Sequence, residues 1–253
     1  MNEQELCRKK LTDLSCQANR KGIVVFSDFL NLNEQNIYRQ SERLFETRTE
    51  SFGGVPFAER QMVAFIPDAL SYEWEYPIAV LHISPVSPKF AEKLEHRDIL
   101  GAVMQLGVER SKIGDILVGE GEAWLLCEAR MADYFAEHLN RIRHTDVRLS
   151  RADAAGIAVR PNLEEHNGIV TSNRLDSVIA CVYRLSRSKA QDLIRQDKVF
   201  INGKITENPS YVCREEEIVS VRGHGRFVFE GCLGKTGKGR IKITYKQYTG
   251  ASI

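Results

Sequence analysis

The residues best equipped for chemistry in this chain are cations set among glycines. Arg222-Gly223-His224-Gly225-Arg226 places two guanidiniums and an imidazole around two residues that have no side chain. Glycine lets a backbone come close to a phosphate, and arginine adds charge and a forked pair of donors that matches phosphate oxygens. Arg187, Lys189, Arg195 and Lys198 form a second basic group, spread through a short amphipathic stretch. Other chemistries find no support, because no Ser/His/Asp, Cys/His or metal-ligand set has usable spacing. The six cysteines, Cys7, Cys16, Cys127, Cys181, Cys213 and Cys232, contain no C-x-x-C pair. Reduced thiols are expected, with no metal, no cofactor and no disulfide framework.

Two catalytic look-alikes fail on their surroundings. His96-Arg97-Asp98 matches the start of a protein-kinase catalytic loop, but Val103 stands where that loop needs Asn and no nucleotide-binding glycine loop accompanies it. An Asp near a helix start, in a local charge network, is the reading that remains. Gly234-Lys235-Thr236 mimics the end of a P-loop, yet the leading glycine would fall at Phe229 and a strand pattern follows where a helix is required. It reads as a basic hairpin turn.

Charge is divided unevenly along the chain. The formal net charge is only +1, but from Val170 onward there are 15 Lys and Arg against 8 Asp and Glu, or +7, leaving 20 against 26, or −6, before it. A basic segment on an acidic body is the electrostatic footprint of polyanion binding. Hydrophobic content of 43% and charged content of 27% are those of a packed globular protein. No apolar run approaches the roughly 20 residues of a membrane span, and the start, with Glu3, Glu5 and Lys9, does not resemble a signal peptide, so a cytoplasmic protein is expected.

The elements that must position these residues follow from periodicity. Helical spacing covers 6–16 and 34–45, the latter with Asn33 as N-cap, and 62–66 has the look of a buried strand. Strands at 78–83, 115–118, 123–127 and 146–149 alternate with helices at 97–106 and 131–142. The order βαββαβ is the ferredoxin-like plan, an antiparallel sheet with helices on one face and the other face open. RNA-recognition domains of this plan stack bases on their two central strands, but here only Trp124 and His82 could do so, and a buried Trp124 is expected. Residues 161–172 read as a polar linker.

Beyond it, Leu175, Val178, Ile179 and Val182 share one helical face, with Ser172 or Asn173 as cap and Arg174 in the exposed first turn. A second helix starts at Ser186 or Ser188 and turns Ala190, Leu193 and Ile194 inward. Strand 199–201 runs into Asn202-Gly203, a two-residue hairpin signal, and strand 218–221 leads to the glycine-cation turn.

The ordered series Arg174-Leu175-Asp176, Ser186-Arg187-Ser188-Lys189-Ala190, Leu193-Ile194, Val199, Asn202-Gly203 and Ile218 resembles the S-four, or alpha-L, domain, an RNA-binding fold of about a third of the chain. The resemblance implies that Arg174, Ser186, Arg187, Lys189, Arg195 and Lys198 grip structured RNA. Upstream, His96-Arg97-Asp98-Ile99-Leu100-Gly101, Glu109-Arg110, Ile113-Gly114-Asp115-Ile116 and, downstream, Ser220-Val221-Arg222-Gly223 are similar to the YlmH family, which extends the likeness to nearly the full length. That resemblance implies a ribosome-associated protein of the large subunit, concerned with stalled chains held on transfer RNA. Glu216-Glu217 departs from the Gly-Asp usual in that family, and His224 stands where Lys is common.

Some pseudouridine synthases also carry the tripeptide Arg-Leu-Asp and an S-four domain, but their large catalytic domain follows the module, whereas few residues follow Tyr248 and Asp176 lies in the module's own first helix. Tyrosyl-transfer-RNA synthetases end in the module too, yet no HIGH-like or KMSKS-like stretch precedes it here. The expectation is therefore an α+β chain of three parts: a helical N-terminal region at 1–74, a ferredoxin-like domain at 75–160 and an S-four domain at 172–250. It is read as a non-enzymatic RNA binder, a monomer favoured with no oligomeric state assigned, whose partners are ribosomal RNA, the large subunit and transfer RNA on stalled subunits. Arg222, His224 and Arg226 join the six residues above as candidate contacts. The alternative is an RNA-modifying enzyme that uses the S-four domain for targeting.

Overall fold

The computed structural model describes residues 2–56, 58–68, 70–157, 163–237 and 239–248. The chain forms two compact units, Met1–Arg160 and Pro161–Ser252.

The first unit begins with α1 (Glu3–Lys21), β1 (Val25–Phe26), α2 (Leu32–Ser41), β2 (Arg48–Phe52) and β3 (Met62–Ile66). The fully buried β3 is the centre of an antiparallel sheet ordered β1-β3-β2, and Val63 and Phe65 pack with Leu11, Ala18, Leu30 and Tyr38 from the helical side. The cap of α2 is Asn31, two residues before the expected Asn33. Asn31 accepts from the Glu34 amide at 3.0 Å while Glu34 accepts from the Asn31 amide at 2.8 Å, a reciprocal pair that needs Glu three positions on and is unavailable to Asn33.

The rest of this unit is β4 (Ile78–Pro85), α3 (His96–Gln105), β5 (Ile113–Val118), β6 (Ala123–Glu128), α4 (Ala132–His138), β7 (Arg141–Ile142) and β8 (Thr145–Ala152). All its pairings are antiparallel and the order is β5-β6-β4-β8-β7, the ferredoxin-like arrangement with a short extra strand. Leu81, Ile83, Leu125 and Cys127 face Ile99, Val103 and Phe135 of the helices. The helix expected over 131–142 is shorter. It ends at His138, and Ile142 pairs with Thr145 across a turn in which Arg143 adopts a φ of 54°. Leu139 and Ile142 are buried in this hairpin, so the apolar spacing that suggested one long helix is satisfied another way.

The sheet's second face, expected to be open, is closed. Val80, Leu117, Trp124 and Leu126 lie beneath Val55, Ala58 and Ile157. Gly54 permits this approach: its φ is +95°, and a Cβ there would meet Leu126 Cδ2 at 2.7 Å. A one-residue bulge in β5 between Ile113 and Ile116 carries Asp115. Its carboxylate accepts from the amides of Glu59 (2.6 Å) and Arg60 (3.1 Å), fixing the covering segment. The segments expected as 1–74 and 75–160 thus pack as one unit.

The second unit comprises β9 (Leu163–Val170), α5 (Leu175–Val182), α6 (Arg187–Arg195), β10 (Val199–Ile201), β11 (Lys204–Ile205), β12 (Glu217–Val221), β13 (Gly225–Lys235) and β14 (Ile241–Tyr248). The sheet order is β11-β10-β12-β13-β14-β9. Leu175, Val178, Ile179, Leu193 and Ile194 pack on Val199, Val219, Phe227, Phe229 and Ile243. The segment read as a linker is mostly an edge strand: all eight residues of β9 pair with β14, while Pro161-Asn162 lie outside the described residues. Of the eight only Val170 is buried, so backbone pairing holds a strand whose side chains carry almost no apolar signal.

Candidate nucleic-acid interface

Residues 170–226 bring the predicted contacts to two places, the junction of α5 with α6 and the end of β12. At the junction, neither Ser172 nor Asn173 caps α5. Arg174 occupies the cap position, and the first helical amides donate to loop carbonyls instead, Leu175 to Tyr211 (2.7 Å) and Asp176 to Pro209 (3.2 Å). Ser186 caps α6, its hydroxyl accepting from the Lys189 amide at 3.2 Å. Its role is to start the helix that displays the cations.

Asp176 is fully buried and gathers three partners. Arg187 donates through Nε at 2.9 Å and Nη2 at 3.3 Å, Gln191 donates through Nε2 at 2.8 Å, and Arg174 Nε lies 3.5 Å away. Burial pushes the carboxyl upward, but the Arg187 and Gln191 bonds and the charges of Arg187 and Arg174 outweigh it and hold the group below its ordinary value. Two of the predicted RNA contacts are therefore committed in part to an internal ion cluster. Arg174 and Arg187 keep their outer portions in solvent, at 37% and 47% exposure, and their guanidiniums are oriented by Asp176.

The other candidates differ. Among the described residues, Lys189, Lys198, Arg222 and His224 are paired with no carboxylate. Lys189, Arg222 and His224 are exposed, and Lys198 is half-buried. Arg195 is exposed with Asp192 3.9 Å away, one turn earlier on α6. Arg184 was missed by sequence reasoning: it is an exposed cation at a φ of 52°, just past the end of α5. Its place between two helices could have marked it.

At the end of β12 the Arg222 amide donates to the Lys198 carbonyl at 2.8 Å, which ties the glycine-cation turn to the start of β10. The Arg222 guanidinium lies over the Phe200 ring, 4.8 Å from its centroid. His224 sits 5.5 Å from the Tyr183 ring at the C-terminal end of α5. Arg174 at the N-terminal end of α5 and Tyr183, the neighbour of His224, at its C-terminal end are separated by a helix of roughly 12 Å at 1.5 Å per residue. Arg226 is half-buried, donates to Ser220 at 3.1 Å and lies over Tyr248 at 5.6 Å. Burial lowers its basicity. It is a partner of the sheet. Phe200 and Tyr248 were not singled out by the sequence, although Phe200, between buried Val199 and Ile201, must face away from the core.

The turn that departs from the family pattern is kept by other means. Glu216 itself adopts a φ of 63°, and Glu217 is buried, accepting from the Tyr211 hydroxyl and the Arg214 amide.

In the first unit, His96-Arg97-Asp98 opens α3. Asp98 accepts from the Glu95 amide at 3.0 Å and Arg97 pairs with Glu95 at 3.0 Å, so the triplet is a helix start. Trp124 is buried, with the His82 ring 5.4 Å away, and His82 is held by Glu122 at 2.7 Å. No group of three or more metal-ligating side chains occurs among the described residues.

Residues 72–155 match the family model described as "Putative RNA-binding domain in YlmH", and residues 174–219 match the S4 domain. A protein of Bacillus subtilis (strain 168), "Ribosome-associated protein quality control protein P2", is 30% identical over 226 residues, which cover 87% of this chain and 86% of that protein. The solved structure "Cell division protein ylmH from Streptococcus pneumoniae" is 26% identical with a TM-score of 0.51, covering 61% of this chain and 94% of the other.

Proposed function

The chain belongs to the YlmH family, and from that premise we propose that it is a non-catalytic RNA-binding protein that docks on ribosomal RNA of the large subunit, in the cytoplasm, and acts on stalled subunits that hold peptidyl-transfer RNA. The observation that carries this reading is the set of cations without carboxylate partners, Lys189, Lys198 and Arg222, around α5 and α6, beside two guanidiniums aimed by Asp176. Phosphates of structured RNA match that arrangement, because forked and point charges are presented together on a rigid helix pair. Asp176, the one residue that could link the chain to pseudouridine chemistry, has no exposed surface and three partners, which favours the non-catalytic reading. No helix among the described residues is long and apolar enough to cross a membrane.

Co-sedimentation of the full chain with purified large and small subunits, followed by mass analysis of the RNA, tests the reading. Retention by the large subunit that weakens with salt, with unchanged nucleotide masses, is the expected result. No retention, or a new modified nucleotide, would overturn it.

A further inference from the structure

The outer face of the six-stranded sheet carries a mostly apolar platform with one guanidinium, that of Arg222, lying over it. Alternation along β10 sends Val199 and Ile201 into the core and Phe200 to the other side, where it pairs in register with Ser220 on β12 and Ile205 on β11. Ile205 is exposed, and Ile218 and Val228, paired with one another on the next row, are half-buried. Over Phe200 lies the Arg222 guanidinium at 4.8 Å, part of an exposed side chain with no carboxylate partner among the described residues. The turn that follows is open: a Cβ at Gly223, whose φ is +79°, would meet nothing within 4 Å. The Arg222 amide is pinned to Lys198, so the platform has a fixed position relative to α6.

We infer that this Arg222–Phe200 pair is a stacking site for one unpaired RNA base next to the structured RNA held by the helix pair, an inference that rests on the proposed RNA-binding function. A guanidinium whose carbon lies over an aromatic ring, on an exposed side chain, leaves part of a planar cation to solvent, a surface on which bases stack irrespective of sequence. The adjoining glycine leaves room for the base's own phosphate, and Lys198 adds charge at the same edge. A planar, anionic partner answers these features together. The site therefore selects for an unpaired nucleotide at a junction or bulge, where a continuous duplex would offer no free base.

The full chain is titrated at low salt with two RNAs that differ by a single nucleotide, a continuous duplex and the same duplex interrupted by one unpaired 2-aminopurine. Wild type should prefer the interrupted RNA by about tenfold, within the range one stacked base supplies, and change the probe's fluorescence on binding. Arg222→Lys keeps the charge without the plane, and Phe200→Leu keeps the apolar volume without the ring. Phe200→Leu should bind the continuous duplex as wild type does while losing the preference and the fluorescence change, and Arg222→Lys should lose the same two signals at whatever affinity it keeps for the continuous duplex. Equal affinity of wild type for both RNAs, or a preference retained by both variants, overturns the stacking site and leaves RNA binding standing. A wild-type chain that binds neither RNA overturns the RNA-binding reading and this one with it.

Discussion

Asp176→Asn keeps the shape of a fully buried side chain and removes its charge, so it isolates what the ion cluster contributes to the second unit. Asn has one acceptor oxygen: with it at the Oδ2 position, the bonds from Arg187 Nε and Gln191 each weaken by about 1 kcal/mol as the acceptor loses its charge, and the bond from Arg187 Nη2 is lost against the Asn amide group, for a gross loss of about 3 kcal/mol. Relief from burying a carboxylate offsets part of this, and the arginines rehydrate, so the net loss should be about 1–2 kcal/mol. The sign follows from the lowered carboxyl: its bonds already exceed the effect of burial. Stability from this group is fully present above the unfolded value of about 3.9 and is lost as pH falls through the lower folded value. Amide hydrogen exchange of 175–195 measures it in the full chain, since both tryptophans, Trp74 and Trp124, lie in the first unit and do not report on the second. Protection in α5 and α6 should fall at pH 7, and the difference from wild type should shrink below pH 4. Unchanged protection at pH 7, or a deficit undiminished in acid, would refute the cluster as the organiser of this junction.

The remaining predictions concern charge, burial and backbone. With four or five phosphates contacted, log affinity for large subunits should fall against log salt with a slope of about −3 to −4, and joint replacement of Lys189 and Arg222 by Ala should reduce its magnitude by about one to two. Burial first of all raises Asp115 to about 6, against amide bonds and two arginine charges that lower it, so the folded first unit takes up a proton before the unfolded chain does. Its stability should rise on acidification from pH 7 toward 4, by up to about 3 kcal/mol, and Asp115→Asn should flatten that profile in urea titrations followed by tryptophan fluorescence. Gly54→Ala forces a Cβ into Leu126 at a positive φ, and the same titration should show a loss of about 1–3 kcal/mol, with RNA affinity of the folded protein unchanged.

The elements whose burial follows one clean period were legible in the sequence. The strands containing Leu81 and Leu125, the helix carrying Val178 and Ile179, and the Asn202-Gly203 hairpin all appear where periodicity and turn chemistry place them. What was hidden depends on contacts far apart in the chain. β9 is defined by its partner β14 and not by its own side chains. Caps of α5 come from carbonyls at 209 and 211, which no local pattern around Ser172 could announce. The closed face of the ferredoxin-like sheet rests on Val55 and Ala58, whose small side chains carry little signal, and on an Asp115 clamp across more than fifty residues. Among the site residues, Lys189 and Arg222 stand on the surface as the helical and strand patterns suggested, while the inward turn of Arg187 requires knowing that Asp176 is buried beneath it.

That inward turn decides how losses of affinity should be interpreted. An arginine that is held by a buried carboxylate and also touches RNA acts twice, once as charge and once as a brace for its neighbours. Arg187→Ala would uncover both effects, and a weaker complex alone could not separate them. Lys189 has no such second role, because its side chain meets no carboxylate among the described residues and only its amide supports the cap. The salt dependence separates the two kinds of residue on physical grounds: removing a charge that displaced a counterion changes the slope, whereas loosening the helix pair changes affinity at every salt concentration. If Arg187→Ala lowers affinity with exchange protection intact and the slope reduced by about one, its outer guanidinium contacts phosphate. If protection in α5 and α6 falls and the slope stays, Asp176 is its true partner, and the phosphate contacts belong to Lys189, Arg222 and the neighbouring free cations.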